Sequence, residues 1–237
     1  MSRPSATPAD WQRYMAHMAT ITPNASLARF YGSAWPAADT PLEEVEFVAL
    51  DIETTGLDAR RHAIISVGLI PMSLARIRSD QAWHQIIRPA RELVPESVAF
   101  HHITDTDVSA APLFSEILDT LLEHLAGRVA VVHYHPIERG FIDLAVRHTL
   151  GESLLFPLVD TMQLEARLLP RRKPGWLMRM LGHKPVSIRL AACRERYGLP
   201  TYRAHHALTD ALATAELLQA QIATHYSGQH PVQALWL

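Results

Sequence analysis

Phe47, Val48, Ala49 and Leu50 form an unbroken apolar run that ends in Asp51, Ile52 and Glu53, followed by the turn-forming Thr54, Thr55 and Gly56. A run of this kind suits a strand buried on both faces, and such strands belong to α/β sheets covered by helices on each side. Side chains alternate across a strand, so Asp51 and Glu53 share one face and Ile52 takes the other. The fold must therefore accommodate two carboxylates side by side at the end of a buried strand. That pairing is unfavourable unless water solvates it or a cation lies between, and hard divalent ions such as Mg2+ and Mn2+ favour carboxylate oxygens. By itself the Asp-x-Glu spacing leaves both options open.

The pattern around this strand extends the α/β reading. Further strands are predicted over residues 63–70, 82–88 and 128–134, with a short one at 158–160. Leu113, Ile117, Leu118, Leu121, Leu122 and Leu125 fall at helical spacing before Gly127, and a second helix opens at Pro136 and stops at Gly151. Helices are also predicted over 161–168, 188–197 and 207–225. Before about residue 41, amphipathic stretches at 11–18 and 26–31 read as an accessory helical segment with no assigned chemistry. The expected organisation is this segment over 1–40, one main domain over 41–226 carrying a basic insert at about 170–187, and a tail over 227–237. A chain of 237 residues suits one core of this size.

Composition excludes several classes. Hydrophobic residues at 48% and charged residues at 19% match an ordinary globular chain and argue against disorder. The only cysteine, Cys193, permits neither an intramolecular disulfide nor a thiolate zinc cluster. No window reaches the length of a membrane span, and no secretory leader is apparent; a soluble, cytoplasmic protein without membrane contact is expected. The net charge of −2 does not decide the partner, but its distribution is uneven: ten basic residues between Arg167 and Arg203 face one acid, Glu195.

Two further sites carry candidate chemistry. Glu138 falls in the first turn of the helix opened by Pro136, where the helix dipole favours a carboxylate; first-turn acids are commonly structural, so both readings stand. Asp143, five residues on, is a rival facing more than a quarter turn away. In His205-His206-Ala207-Leu208-Thr209-Asp210-Ala211, His205 precedes a helix and Asp210 lies in its first turns. Three acid sites thus sit at the ends of elements, where α/β folds place their chemistry.

Leu50-Asp51-Ile52-Glu53-Thr54-Thr55-Gly56-Leu57, the segment around Glu138, and the His205–Asp210 segment together resemble the DEDDh 3′→5′ exonucleases. That family includes the proofreading epsilon subunit of bacterial DNA polymerase III, RNase T and oligoribonuclease. Order and spacing agree from about Phe47 to Leu218, and His101-His102-Ile103-Thr104 resembles a further element of the family. One position departs: the family ordinarily has aspartate where this chain has Glu138.

The resemblance implies a ribonuclease H-like mixed sheet of about five strands flanked by helices. It also implies two divalent ions, Mg2+ or Mn2+, held by Asp51, Glu53, Glu138 and Asp210, with His205 as general base; the adjacent His206 is the competing base. Thr54, Thr55, Gly56, Leu57, His101 and Ile103 would contact the terminal nucleotide. The implied reaction is removal of nucleoside 5′-monophosphates from the 3′ end of single-stranded DNA. RNA trimming, or a silent nucleic-acid-binding module of the same fold, are the alternatives. The basic insert and Trp176 suit either strand tracking with base stacking or a solvated loop. The tail Gln233-Ala234-Leu235-Trp236-Leu237 faintly resembles sliding-clamp peptides, against the alternative that it packs on its own domain; contact with a polymerase or clamp is the partner this would imply.

Overall fold

The computed structural model describes residues 10–89, 103–169 and 186–237. His101 and most of the basic insert, including Trp176, lie outside the described residues. Five strands, β1 (Phe47–Thr54), β2 (Ile64–Met72), β3 (Trp83–Ile86), β4 (Val129–Val132) and β5 (Leu158–Asp160), form one mixed sheet in the order β3-β2-β1-β4-β5. β1 is central, antiparallel to β2 and parallel to β4, which is in turn parallel to β5. This is the expected five-stranded α/β arrangement.

The alternation along β1 sorts the core into two layers. Val48, Leu50 and Ile52 face one cluster, built with the helices α1 (Trp11–Ile21), α2 (Ala25–Tyr31), α4 (Phe114–Leu125) and α5 (Pro136–Leu150). Phe47 and Ala49 face the other, with Leu164 of α6 (Thr161–Leu168) and Ala211, Ala215, Leu218 and Ile222 of α8 (Ala207–His225). The short helices α3 (Asp105–Ser109) and α7 (Leu190–Arg196) complete the set among the described residues. Asp51 and Glu53 continue the row of Phe47 and Ala49, so they face the layer of α8.

The N-terminal helices belong to the core. Trp11, Met15, Leu27, Phe30 and Tyr31 are all buried in the first cluster, and each such side chain contributes about 1.5–3 kcal/mol through its removal from water. At the other end, Leu235 is buried, Leu237 N–H donates to the Leu158 carbonyl at 2.8 Å, and the Arg139 guanidinium donates to the Leu237 carbonyl. Of the two readings of the tail, packing on its own domain is the one observed.

The strand predicted over 128–134 stops at Val132. Tyr134 takes a left-handed backbone with φ of 97°, which leaves the sheet and opens α5 with Pro136 in its first turn. The expected helix at 188–197 likewise begins two residues later, at Leu190. None of the helices among the described residues is long and apolar enough to cross a membrane.

Candidate active site

In register, Asp51 of β1 lies opposite Gly68 of β2, and Glu53 opposite Ser66. Gly68 has a specific role: a β-carbon there would lie 2.4 Å from the Ala207 carbonyl carbon and the Leu208 nitrogen. The absent side chain lets the first turn of α8 rest directly on the sheet, and that turn carries Asp210. Carboxylate oxygens of Asp51, Glu53 and Asp210 consequently lie within 4.8 Å of one another.

The electrostatics of this cluster are unfavourable for bare carboxylates. Burial, and then the neighbouring charges of Glu138, Glu53 and Asp210, hold the Asp51 carboxyl well above the ordinary aspartate value. Burial and Asp210 push Glu53 up to about 7. Asp210 is raised by burial, although the His205 backbone N–H, donating to its Oδ2 at 2.8 Å, works in the opposite direction.

Glu138 stands in the first turn of α5, close enough for its charge to act on Asp51 but outside the three-acid cluster. It is 3% exposed, and its Oε2 is buried with no hydrogen-bond partner among the described residues. Burial pushes it up to about 8, only partly offset by its own backbone N–H, and the Asp160 charge adds to the rise. An orphaned buried carboxylate oxygen is uncommon in folded proteins. Its position beside three converging carboxylates fits a divalent cation, whose charge would remove the repulsion and whose coordination would occupy the free oxygen. The rival Asp143 is taken up structurally: its carboxylate accepts from Arg147, the Ser153 hydroxyl and the Leu154 N–H.

The two histidines part ways. His205 is exposed, has a left-handed backbone with φ of 69°, and is tied to Asp210 through its N–H. His206 stacks on His84 of β3, with ring centroids 4.7 Å apart, and His84 Nε2 lies 2.8 Å from the Ser66 hydroxyl.

The turn after β1 is internally braced. The Thr54 hydroxyl donates to the Gly56 carbonyl, and the Thr55 hydroxyl accepts from the Ala63 N–H. A β-carbon on Gly56 would meet the His62 ring at 2.5 Å, so the glycine admits that ring beneath the turn. Leu57, 84% exposed, projects from it. Ile103 is half-buried and precedes Thr104, which caps α3.

Three functional-looking residues went unassigned in the sequence. Asp160 ends β5, following an apolar run as Asp51 does within β1, and its buried carboxylate accepts from the N–H groups of Tyr134, His135, Met162 and Gln163 and contacts His135 Nδ1. Burial alone would raise it, but these hydrogen bonds prevail and hold it below the ordinary value. The position of an acid at the end of an apolar strand was a readable signal. His84 and Ser66 carried none, because their meeting with His206 is tertiary.

Comparison with known proteins agrees with this geometry. A family model described as exonuclease matches residues 48–218. DNA polymerase III PolC-type from Thermotoga petrophila is 30% identical over 179 residues, which are 76% of this chain and 12% of that protein. DNA polymerase III subunit epsilon from Treponema pallidum is 29% identical over 183 residues, covering 77% of this chain and 79% of that protein. The chain thus spans only a small part of the PolC-type relatives. Among solved structures, the nuclease domain of 3′hExo, a DEDDh family member bound to rAMP, superposes with a TM-score of 0.63 at 14% identity, covering 79% of this chain and 96% of that one. Cell-death related nuclease 4 gives 0.62 at 19% identity, covering 78% and 65%. These likenesses establish the fold.

Proposed function

The chain belongs to the exonuclease family, and from that premise we propose that it is of the DEDDh type and hydrolyses phosphodiester bonds one at a time from the 3′ end of single-stranded DNA. The observation that carries this reading is the convergence of Asp51, Glu53 and Asp210 within 4.8 Å, with the orphaned oxygen of Glu138 alongside. In this reading Asp51, Glu53, Asp210 and Glu138 are the residues that would hold two divalent ions, Mg2+ or Mn2+. Such ions, when bound, supply Lewis acidity that makes water nucleophilic near neutral pH and offsets charge on the phosphoryl and departing oxygens.

The chain's own groups supply the rest. His205 takes the proton of the attacking water as a new phosphorus–oxygen bond forms; the bond from phosphorus to the 3′-oxygen breaks, that oxygen gains a proton from solvent, and a nucleoside 5′-monophosphate leaves. Imidazole suits the role because its ordinary pKa, near 6.5, leaves it neutral and basic at physiological pH. Commitment of the His206 ring to His84 supports His205 over its neighbour. The braced turn of Thr54, Thr55 and Gly56 presents Leu57 to the terminal nucleotide, and His101 and Ile103 are assigned to the same contact.

Sequence relatives that are DNA polymerase III proteins favour DNA over RNA. Contact with a polymerase is part of the same proposal; docking through the C-terminal tail would first have to strip Leu235 to Leu237 from the β5 edge. The test uses matched 5′-labelled DNA and RNA oligonucleotides with Mg2+ or Mn2+. A ladder shortening from the 3′ end, abolished by EDTA and faster on DNA, is expected. A faster ladder on RNA would reassign the substrate, and intact oligonucleotide with every metal would leave a binding module.

A further inference from the structure

Tyr134 combines three features that folding alone does not require. Its φ of 97° is an outlier for a bulky L residue. The surrounding structure imposes it: Asp160, 1% exposed, accepts the Tyr134 N–H at 3.1 Å and the His135 N–H at 3.0 Å, while the Tyr134 carbonyl accepts from Ile137 N–H. The ring itself is left out, with the residue 48% exposed and no hydrogen bond or ring–ring contact of that ring among the described residues. Strained backbone held by a buried network, presenting a side chain the core does not use, is a pattern found at ligand clamps.

Its place in the fold says which ligand. β4 runs parallel to β1 with Ala49 opposite Val131. Tyr134, two residues beyond the end of β4, therefore lies at the same edge of the sheet as Asp51 and Glu53. Glu138 follows it one helical turn later, and Leu57 projects from the end of neighbouring β1. Aromatic side chains beside a nucleic-acid channel bind single strands by stacking on base faces, which every base offers.

We propose that Tyr134 is a stacking platform for one of the last two bases of a single-stranded substrate, held in its presenting conformation by Asp160. The assignment rests on the exonuclease reading above and deepens it by naming a contact that recognises bases without regard to sequence.

The test compares wild type, Tyr134→Ala, Tyr134→Phe and Tyr134→Gly on two 5′-fluorescein-labelled decathymidylates, one ordinary and one lacking the bases of its last two nucleotides. Affinity is read as Kd by fluorescence anisotropy with Ca2+, and as KM with Mn2+. Tyr134→Ala is expected to weaken binding of the ordinary strand by about 5–150-fold, the range for loss of one stacked base, and that of the base-free strand by less than about twofold. Tyr134→Phe should bind as wild type does. Tyr134→Gly should melt no lower than wild type, because glycine takes the left-handed conformation freely, yet bind as poorly as the alanine variant.

Equal losses on both strands, or a Tyr134→Ala Kd within twofold of wild type on the ordinary strand, overturns the proposal. Wild-type protein that binds both strands but cleaves neither contradicts the exonuclease reading alone, since the Kd comparison still decides on Tyr134. Protein that neither binds nor cleaves overturns both.

Discussion

The imidazole of His84 lies against that of His206, with centroids 4.7 Å apart and planes 27° from parallel. His206 immediately follows His205 at the start of α8, so this stack ties the segment carrying the proposed general base to the edge strand β3. The Ser66 hydroxyl, opposite Glu53 in register, fixes His84 in turn. His84→Ala is expected to lower kcat by about 3–30-fold with little change in KM, in line with the sensitivity of proton transfer to small displacements. His84→Phe, which keeps a stacking face, should recover most of the loss. Steady-state kinetics on a labelled oligonucleotide checks both.

Gly68→Ala tests whether the seating of α8 on β2 assembles the cluster. The added carbon has backbone, not a flexible side chain, 2.4 Å away, so the helix must shift. Overpacking of this kind destabilises by about 1–3 kcal/mol, and cleavage should fall at least tenfold because Asp210 moves with the helix. Thermal melts and activity assays should show both losses.

Removing the Asp160 carboxylate strips the partner from four backbone N–H groups, two in the segment carrying Tyr134 and two in the first turn of α6. Asp160→Ala is expected to destabilise the protein by about 2–4 kcal/mol, combining the loss of a helix cap with buried donors left unmet. A denaturant titration measures it.

Much of this architecture was legible in the residues. The helices over 161–168 and 207–225 are observed with those bounds because their apolar spacing is sustained and their ends are marked by Asp160 and by Tyr226 onward. The convergence of Asp51, Glu53 and Asp210 was foreshadowed because the first two share a face after the apolar run of β1 and the third lies in the first turn of α8. The end of β4 was not: Val129 to Tyr134 reads as β-forming, and nothing local announces that a tyrosine will take positive φ when a distant carboxylate claims its N–H. The N-terminal helices looked accessory because amphipathic spacing reveals a buried face but not what buries it. Asp160 carries the same local signal as Asp51, an acid after an apolar run, but its four N–H partners come together only in the folded chain.

Stability of the metal-free protein should depend on pH through the crowded acids. Glu53 at about 7 and Glu138 at about 8 lie above the ordinary carboxylate value near 4.3. The folded state thus keeps protons that the unfolded chain has released. Stability from these groups is therefore full below their unfolded values and is lost as pH rises through 7 to 8. The half-buried His84 and the more deeply set His133, both lowered chiefly by burial, act the other way as pH falls below about 6.5. Tm without metal should accordingly drop between pH 6.5 and 8.5, and added Mn2+ should raise it more at the higher pH, where the ligands are ionised. Differential scanning calorimetry at the two values checks the sign.

Glu138→Gln isolates the contribution of one of these acids. Replacing a buried, raised carboxyl by a neutral amide should stabilise the metal-free protein at pH 8 by on the order of 1–4 kcal/mol, a Tm rise of several degrees. The same variant should lose at least tenfold in cleavage rate. A variant that melts higher and cuts more slowly is the expected pairing if the acid is kept for the reaction.

Anomalous diffraction from crystals soaked in Mn2+ and a nucleoside 5′-monophosphate addresses the proposed centre most directly. Density for two ions roughly 3.5–4 Å apart is predicted, one touching Asp51, Glu53 and Asp210 and the other Asp51 and Glu138, with the phosphate against both. Manganese elsewhere, with the four carboxylates sharing no ion, would contradict it.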